Sequence, residues 1–222
     1  VMDWDWTFAI HTVMPRLLAG MVTTIEVTVL SFAVAVLLGM PLMLLRVGKN
    51  RVIAAIVGEL IEFLRSTPLL VQIFFLFYLL PQAGLSLPPI STGVLAIGLY
   101  YAALCSEVFR AGFEAVPKGQ WEACTALNLG RYRTLRDVIV PQMLPPIVPS
   151  LGNYLIVIFK ETPLLSFVAV AEMMQAAKLI GAEFYRFSEA ITLTGLLFLI
   201  LSLISAALVR WVEFMVNRRI YR

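Results

Sequence analysis

VPKGQWEACTALNLGRYRTLRDVIVPQ, residues 116–142, is a polar, cationic island between two long apolar regions. It opens with a breaker, Pro117, followed by Lys118, Gly119 and Gln120. A helix-compatible segment, 121–127, comes next, carrying Trp121, Glu122, Ala123 and Cys124 among Ala and Leu. Asn128 and Gly130 both tolerate positive φ, so the segment is expected to stop and turn there. A second helical stretch, 131–140, sets Leu135, Val138 and Ile139 on one side and Arg133 and Asp137 at i,i+4 on another. Pro141 is expected to end it. The expected product is a helix, a turn and a helix lying across a membrane surface, a rigid handle that can be gripped from the water side.

Working outward, composition bounds the class. Hydrophobic residues make up 60% of the 222 positions and charged residues 14%. That is far too little polar surface for a soluble globule, so the chain is an integral membrane protein. The net charge of +3 does not signal nucleic acid, because the basic residues sit at the ends of apolar runs, where positive-inside asymmetry explains them. Cys105 lies in an apolar segment and Cys124 in the island, so they form neither a disulfide framework nor a metal pair. The single histidine, His11, has no HExxH, GxSxG or Cys/His cluster around it, leaving no catalytic constellation and no metal site. There is no GxxxxGK[ST] loop either, so ATP and Mg, if they drive this protein, belong on another chain.

Residues 1–16 carry Trp4, Trp6 and Phe8 among Asp3, Asp5 and His11, an interfacial segment with an aromatic belt; basic residues at the start and a cleavage site, the marks of a signal peptide, are missing. Five spans follow, at about 18–45, 56–80, 93–110, 145–163 and 189–211, each scaled to ~30 Å of hydrocarbon at ~1.5 Å per residue. The first contains the unbroken run VTVLSFAVAVLLGMPLMLL from Val27. The second must reach back beyond PLLVQIFFLFYLLP, which is too short alone, so Arg65 falls within or at the edge of it. The fourth holds Pro146, Pro149, Gly152 and Asn153 and reaches Lys160-Glu161-Thr162-Pro163. The next apolar run, 164–174, has 11 residues and reads as a re-entrant or outer-leaflet helix after a broken span, with 175–188 outside. Arg46, Lys49, Arg51, Arg110, Lys118, Arg131, Arg133, Arg136, Arg210, Arg218, Arg219 and Arg222 then fall inside, against Arg16, Lys178 and Arg186 outside. The expected architecture is one all-α transmembrane domain over 1–222, with the N-terminus outside and the C-terminus cytoplasmic. An odd number of spans disfavours an inverted-repeat secondary transporter.

Glu122-Ala123-Cys124, the turn residue Asn128 and Ile139-Val140-Pro141 resemble the EAA coupling loop of ABC importer permeases. SEVFRAGFEAVPKGQWEA at 106–123, FLRSTPLLVQ at 63–72 and KETPLLS at 160–166 are similar to the polar amino-acid subfamily. The resemblance runs from about residue 18 to the C-terminus. Cys124 stands where a second Ala is usual and Asn128 where Gly is usual; both substitutes are small or tolerate the αL conformation. The resemblance implies a type I ABC importer permease in the bacterial cytoplasmic (inner) membrane. It also implies two cytoplasmic ATPase subunits holding ATP and Mg, a second permease subunit, identical or closely related, and an extracytoplasmic solute-binding protein. The solute would be a small polar amino acid, and this chain would not be catalytic. The residues carried over to ATPase coupling are Gly119, Gln120, Trp121, Glu122, Ala123, Cys124, Asn128, Gly130 and Pro141.

A charge at mid-bilayer costs at least ~2.5 kcal/mol, so each needs a partner or a wet path. Glu107 and Arg110, at i,i+3, read as a local ion pair, or Glu107 lines a path with Tyr100 and Ala103 and meets a solute ammonium. Lys160 and Glu161 point ~100° apart, so they reach different partners; they fix a helix break or touch solute. Gln72 and Asn153 are helix glue or path-lining groups. The candidate path is therefore Gln72, Tyr100, Glu107, Asn153, Lys160 and Glu161. Rival functions are a permease for a compatible solute such as ectoine, or an ATP-independent secondary carrier or channel.

Overall fold

The computed structural model of the chain describes residues 4–220. Asp3 of the aromatic segment, Arg222 of the inner charge set and the side chain of Arg219 lie outside the described residues.

The first helix, α1, runs from Trp6 to Arg46 over 41 residues. Asp5 caps it, its Oδ1 accepting from the Phe8 N–H at 3.0 Å. The aromatic segment from Trp6 is thus the N-terminal part of the first helix. Pro15 does not break it, because a widened π turn at Ala9–Val13 takes up the ring's clash with the carbonyl four residues earlier.

Asn50 caps α2, Arg51–Ser66, accepting from the N–H groups of Val52 at 3.0 Å and Ile53 at 3.3 Å. Thr67, forced by Pro68 into an extended conformation (φ −93°, ψ 136°), stops it. The next helix, α3, Leu69–Ala83, leaves at 102° to α2. The expected second span is therefore not one straight helix. Gly84, at φ +85°, closes α3, and α4 follows as Pro89–Glu114.

The island forms a short helix, α5, Lys118–Ala126, and then joins α6, which is continuous from Arg131 to Val168. Pro141 does not end the island's second helix. A π turn at Thr134–Ile139 surrounds the carbonyl that its ring would strike, and the chain carries on into the membrane. The handle is one short helix leading into a span, not two helices across the surface. The same π turn removes the i,i+4 register of Arg133 and Asp137; Asp137 lies 3.9 Å from Arg136 instead.

A 3-10 turn at Thr162–Val168 finishes α6, and Ala169 reverses the chain at φ +57°. The helix after the break, α7, is Met173–Phe184, so the apolar run 164–174 is mostly turn, and the helix falls where an outside segment was expected. The capping carboxylate of Glu172 explains the shift, since it fixes the helix start at Met173, the second-last residue of the run. The last helix, α8, is Phe187–Ile220. Among the described residues, four helices are long and apolar enough to cross a membrane, or five spans result if α2 and α3 count as one bent span.

The core lies between α1, α4 and α6, where Val27, Ala35, Met43, Ala96, Ile97, Cys105, Ile139, Met143 and Ile158 are buried together. Gly39 makes this possible, for a Cβ there would lie 2.8 Å from the Cys105 Cβ and 3.0 Å from the Ala102 carbonyl oxygen. A second cluster joins the N-terminal part of α1 to α7 and α8 through Val13, Leu17, Ala177, Ile180 and Ala190. Arg16–Glu183 and the Asp5–Arg186–Glu189 chain tie the same elements at the rim.

Candidate functional site

Two surfaces collect the residues singled out by the sequence. The first is α5. Trp121 and Cys124, at i,i+3, share its inward face: Trp121 meets the Phe113 ring edge-on at 5.3 Å between centroids, and Cys124 is buried. Gly119, Gln120, Glu122 and Ala123 face water. Asn128 takes the left-handed conformation at φ +50°, and the Leu129 N–H returns to the Cys124 carbonyl at 3.0 Å, closing the helix. Gly130 does not share it; its backbone is extended (φ −62°, ψ 149°) and its carbonyl accepts from the Thr134 N–H at 3.0 Å. Gln142 Nε2 donates to Gln120 Oε1 at 3.1 Å, tying α5 to the root of α6 beside Pro141. Two apolar side chains passed over in the sequence, Leu127 and Tyr132, are each 71% exposed on either side of the turn. Their signal was an apolar residue in a polar island.

The second surface lies within the membrane. Glu107 does not stand free: Arg46, at the end of α1, pairs with Oε1, and Arg110 donates to Oε2 at 2.7 Å while also holding Glu114 at 2.8 Å. The Arg46 partner was invisible to local spacing. Gln72 caps the break between α2 and α3, its Nε2 donating to the Leu64 carbonyl and to Thr67 Oγ1, each at 2.7 Å. It thereby satisfies groups that Pro68 would otherwise leave bare in the bilayer.

Tyr100, Tyr101 and Tyr154 form an edge-to-face chain at 5.3 and 5.6 Å across α4 and α6. Glu161 lies beside the Tyr101 hydroxyl, and its Oε2 is buried with no hydrogen-bond partner among the described residues. Tyr101 and Tyr154 had not been singled out; only pairing across helices reveals them. Asn153 and Lys160 are exposed on α6. The structure therefore brings Tyr100 and Glu161 to one polar centre through Tyr101, and sets Gln72 and Glu107 apart in local networks.

Several helices long and apolar enough to cross a membrane, with a break at proline and a buried polar centre between them, mark a multi-pass membrane protein. Residues 35–218 match the family of binding-protein-dependent transport system inner membrane components, and the chain belongs to that family. It is a multi-pass protein of the inner membrane. The chain is 44% identical over 215 residues to the probable amino-acid ABC transporter permease protein y4tG of Sinorhizobium fredii, covering 97% of this chain and 93% of that one. It is 37% identical over 178 residues to the L-cystine transport system permease protein TcyB of Bacillus subtilis, covering 80% and 76%. A crystal structure of an amino acid ABC transporter with histidines superimposes with a TM-score of 0.89 at 30% identity, over 96% of this chain and all of that one. An inward-facing MetNI methionine ABC transporter shares the fold, with a TM-score of 0.71 at 20% identity.

Proposed function

We propose that this chain is the transmembrane permease subunit of an ATP-driven importer for a polar amino acid or a similarly small zwitterion. The observation that carries the reading is α5, a water-facing helix whose inner side is anchored on α4 and α6 and whose outer side is free. The names carried by the relatives and by the structural neighbour point the same way.

In this reading the N-terminus is outside and the C-terminus cytoplasmic. Two ATPase subunits, which hold ATP and Mg, grip α5 through Gly119, Gln120, Glu122 and Ala123, with Leu127 and Tyr132 as apolar anchors. Trp121 and Cys124 hold the helix to the permease; Asn128, Gly130 and Pro141 set its exit. Closure of the motor pulls Trp121 against Phe113, and α4 carries the displacement to Glu107 and so, through Arg46, to α1. A second permease completes the path, and a binding protein delivers solute outside. Tyr100, Asn153, Lys160 and Glu161 line the path; Gln72 and Glu107 hold its walls in shape. The chain transmits force, and hydrolysis belongs to the partner.

The test is to purify the tagged chain from its native membranes in mild detergent. An ATPase bearing a phosphate loop is expected to come with it and to be lost on Glu122→Lys, with membrane insertion unchanged. A chain that arrives without an ATPase, and takes up solute in vesicles on an ion gradient alone, overturns the reading in favour of a secondary carrier.

A further inference from the structure

Helix α2 has three sides. Val57 and Ile61 are buried, in one cluster with Ala103 of α4 and Leu42 of α1. Arg51, Glu59, Glu62 and Ser66 make a polar exposed side. Val52, Ile56, Leu60 and Phe63, at i, i+4, i+8 and i+11, make an exposed apolar stripe. The helix runs back along α1, since Gly58 stands beside Arg46 and Ile61 shares its cluster with Leu42, one turn earlier in α1. Its first residue therefore lies at one membrane surface, and Phe63, ~18 Å further along the axis, lies about half-way through ~30 Å of hydrocarbon.

The stripe has cations at its start and a cleft at its end. Lys49 and Arg51 are exposed and form no ion pair or hydrogen bond among the described residues. The carboxylates Glu107 and Glu114 of α4 do not neutralise them, being held by Arg46 and Arg110. Phe63 lines a cleft of about 280 Å³ at the bend between α2 and α3, together with Val71, Phe75, Leu76, Ala96 and Leu99. Two polar side chains also line it, and both are turned to backbone: Thr67 Oγ1 donates to the Phe63 carbonyl at 2.9 Å, and Gln72 Nε2 to the Leu64 carbonyl at 2.7 Å.

We propose that the stripe binds one anionic phospholipid, its phosphate held by Lys49 and Arg51 and one acyl chain lying over Val52, Ile56 and Leu60 with its end in the cleft. Two unopposed cations at a membrane surface select a headgroup of net negative charge, because an ammonium in the headgroup would cancel the phosphate they attract. A chain hanging from a surface phosphate reaches about half the bilayer, which is the depth at which the cleft opens. The cleft suits an alkyl tail and not a zwitterionic solute, whose two charges would find no partner on its walls. None of these residues belongs to the polar centre at Tyr101 and Glu161, so the site stands whether or not the permease reading does.

The test is photolabelling of the full chain, purified with its partners from native membranes and reconstituted in phosphatidylcholine vesicles. A trace lipid carries a diazirine at the end of one acyl chain, with either a phosphatidylglycerol or a phosphatidylcholine headgroup. Residues 63–76 of the unmodified chain are expected to take about tenfold more label from phosphatidylglycerol than from phosphatidylcholine. Lys49→Gln with Arg51→Gln should bring that ratio to about one and leave labelling of α8 at 196–204, an exposed apolar face, as it was. Val71→Trp, which fills the cleft from its exposed rim, should lower the label at 63–76 from both lipids. A ratio near one in the unmodified chain overturns the headgroup site and leaves the stripe as ordinary lipid contact. A ratio that survives the double variant assigns the selection to other cations and overturns the roles of Lys49 and Arg51. A cleft that takes no label from either lipid, or is cross-linked to a second chain, is covered by protein, which overturns the lipid site. The headgroup comparison is made on the unmodified chain, so it decides the matter even if the double variant inserts poorly.

Discussion

At the C-terminal ends of α1 and α4, Arg46, Glu107, Arg110 and Glu114 pair among themselves; just before the 3-10 turn that finishes α6, Lys160 and Glu161 have no charged partner among the described residues. The first set is balanced, two positive and two negative, and sits where arginine stems can reach the interface. The second lies within a span, beside Tyr101 near the middle of α4, where leaving a charge unpaired is costly. A closed set of pairs holds helices in place and gains little by changing. An open pair is held only by what the rest of the assembly or the solute supplies. Charges of one chain thus divide by whether the chain itself completes them.

Substitution can break this division. The largest effect is expected at Lys160→Met, which removes an unpaired charge: uptake should fall by about tenfold or more while the amount of inserted chain holds, because no interaction within the protomer is lost. Equal loss of uptake and of protein would put Lys160 in the structural class. Arg46→Met should do the reverse. It leaves Glu107, whose side chain is 19% exposed, with one partner, and should destabilise the detergent-solubilised protein by about 1–3 kcal/mol. Arg46→Met with Glu107→Met should recover part of that loss, as thermal unfolding would report. A double variant less stable than either single one would show that the pair does not act as a unit. Smaller again is Gln72→Leu, which strips the donor from the Leu64 carbonyl and Thr67 Oγ1 and should cost about 1–2 kcal/mol.

How far these regions were legible in the sequence follows from the range of the interactions. The island, the turn at Asn128 and the apolar extent of α1, α4 and α8 are local properties of period and composition, and they were readable. Pro68 and Pro141 look alike as helix ends, yet only Pro68 ends one. The difference is the π turn before Pro141, set by packing of Ile139 and Met143 in the core, which no local rule contains. Arg110 was readable as the i,i+3 partner of Glu107, but its second partner Arg46 and the Glu161 neighbour Tyr101 were not, for a related reason: they lie 61 and 60 residues away in the chain. Glu172 was missed altogether, because it was counted within the apolar run 164–174 when it is a buried cap.

Glu172 sharpens the comparison at its weakest end, since it is a third kind of charge, completed by backbone. It lies between α6 and α7, outside the spans, and is fully buried. Its carboxylate accepts from the N–H groups of Met174 at 2.8 Å and Gln175 at 2.7 Å. Gly20 of α1 presses on its backbone, where a Cβ would lie 3.0 Å from the Glu172 carbonyl, and Met173 N–H donates to Thr24 Oγ1 at 3.2 Å. Burial pushes the carboxyl up to about 7 from an ordinary 4.5, against the opposing pull of those N–H groups and of the Lys178 ammonium. The folded protein therefore holds this proton more tightly than the unfolded chain does. Its contribution to stability is fully present below the ordinary value, is lost as pH rises toward about 7, and is flat beyond. Asp5 and Glu183, near the N-terminal end of α1, are shifted the other way, Asp5 first by the Phe8 N–H and Glu183 first by Arg16, so their contributions are lost only in acid. The two windows do not overlap. Thermal midpoints of the solubilised protein should thus fall by a few degrees between about pH 5 and pH 7, and Glu172→Gln should flatten that slope while leaving the acid limb in place. A slope unchanged in Glu172→Gln would assign the dependence to another group and leave Glu172 as a cap alone.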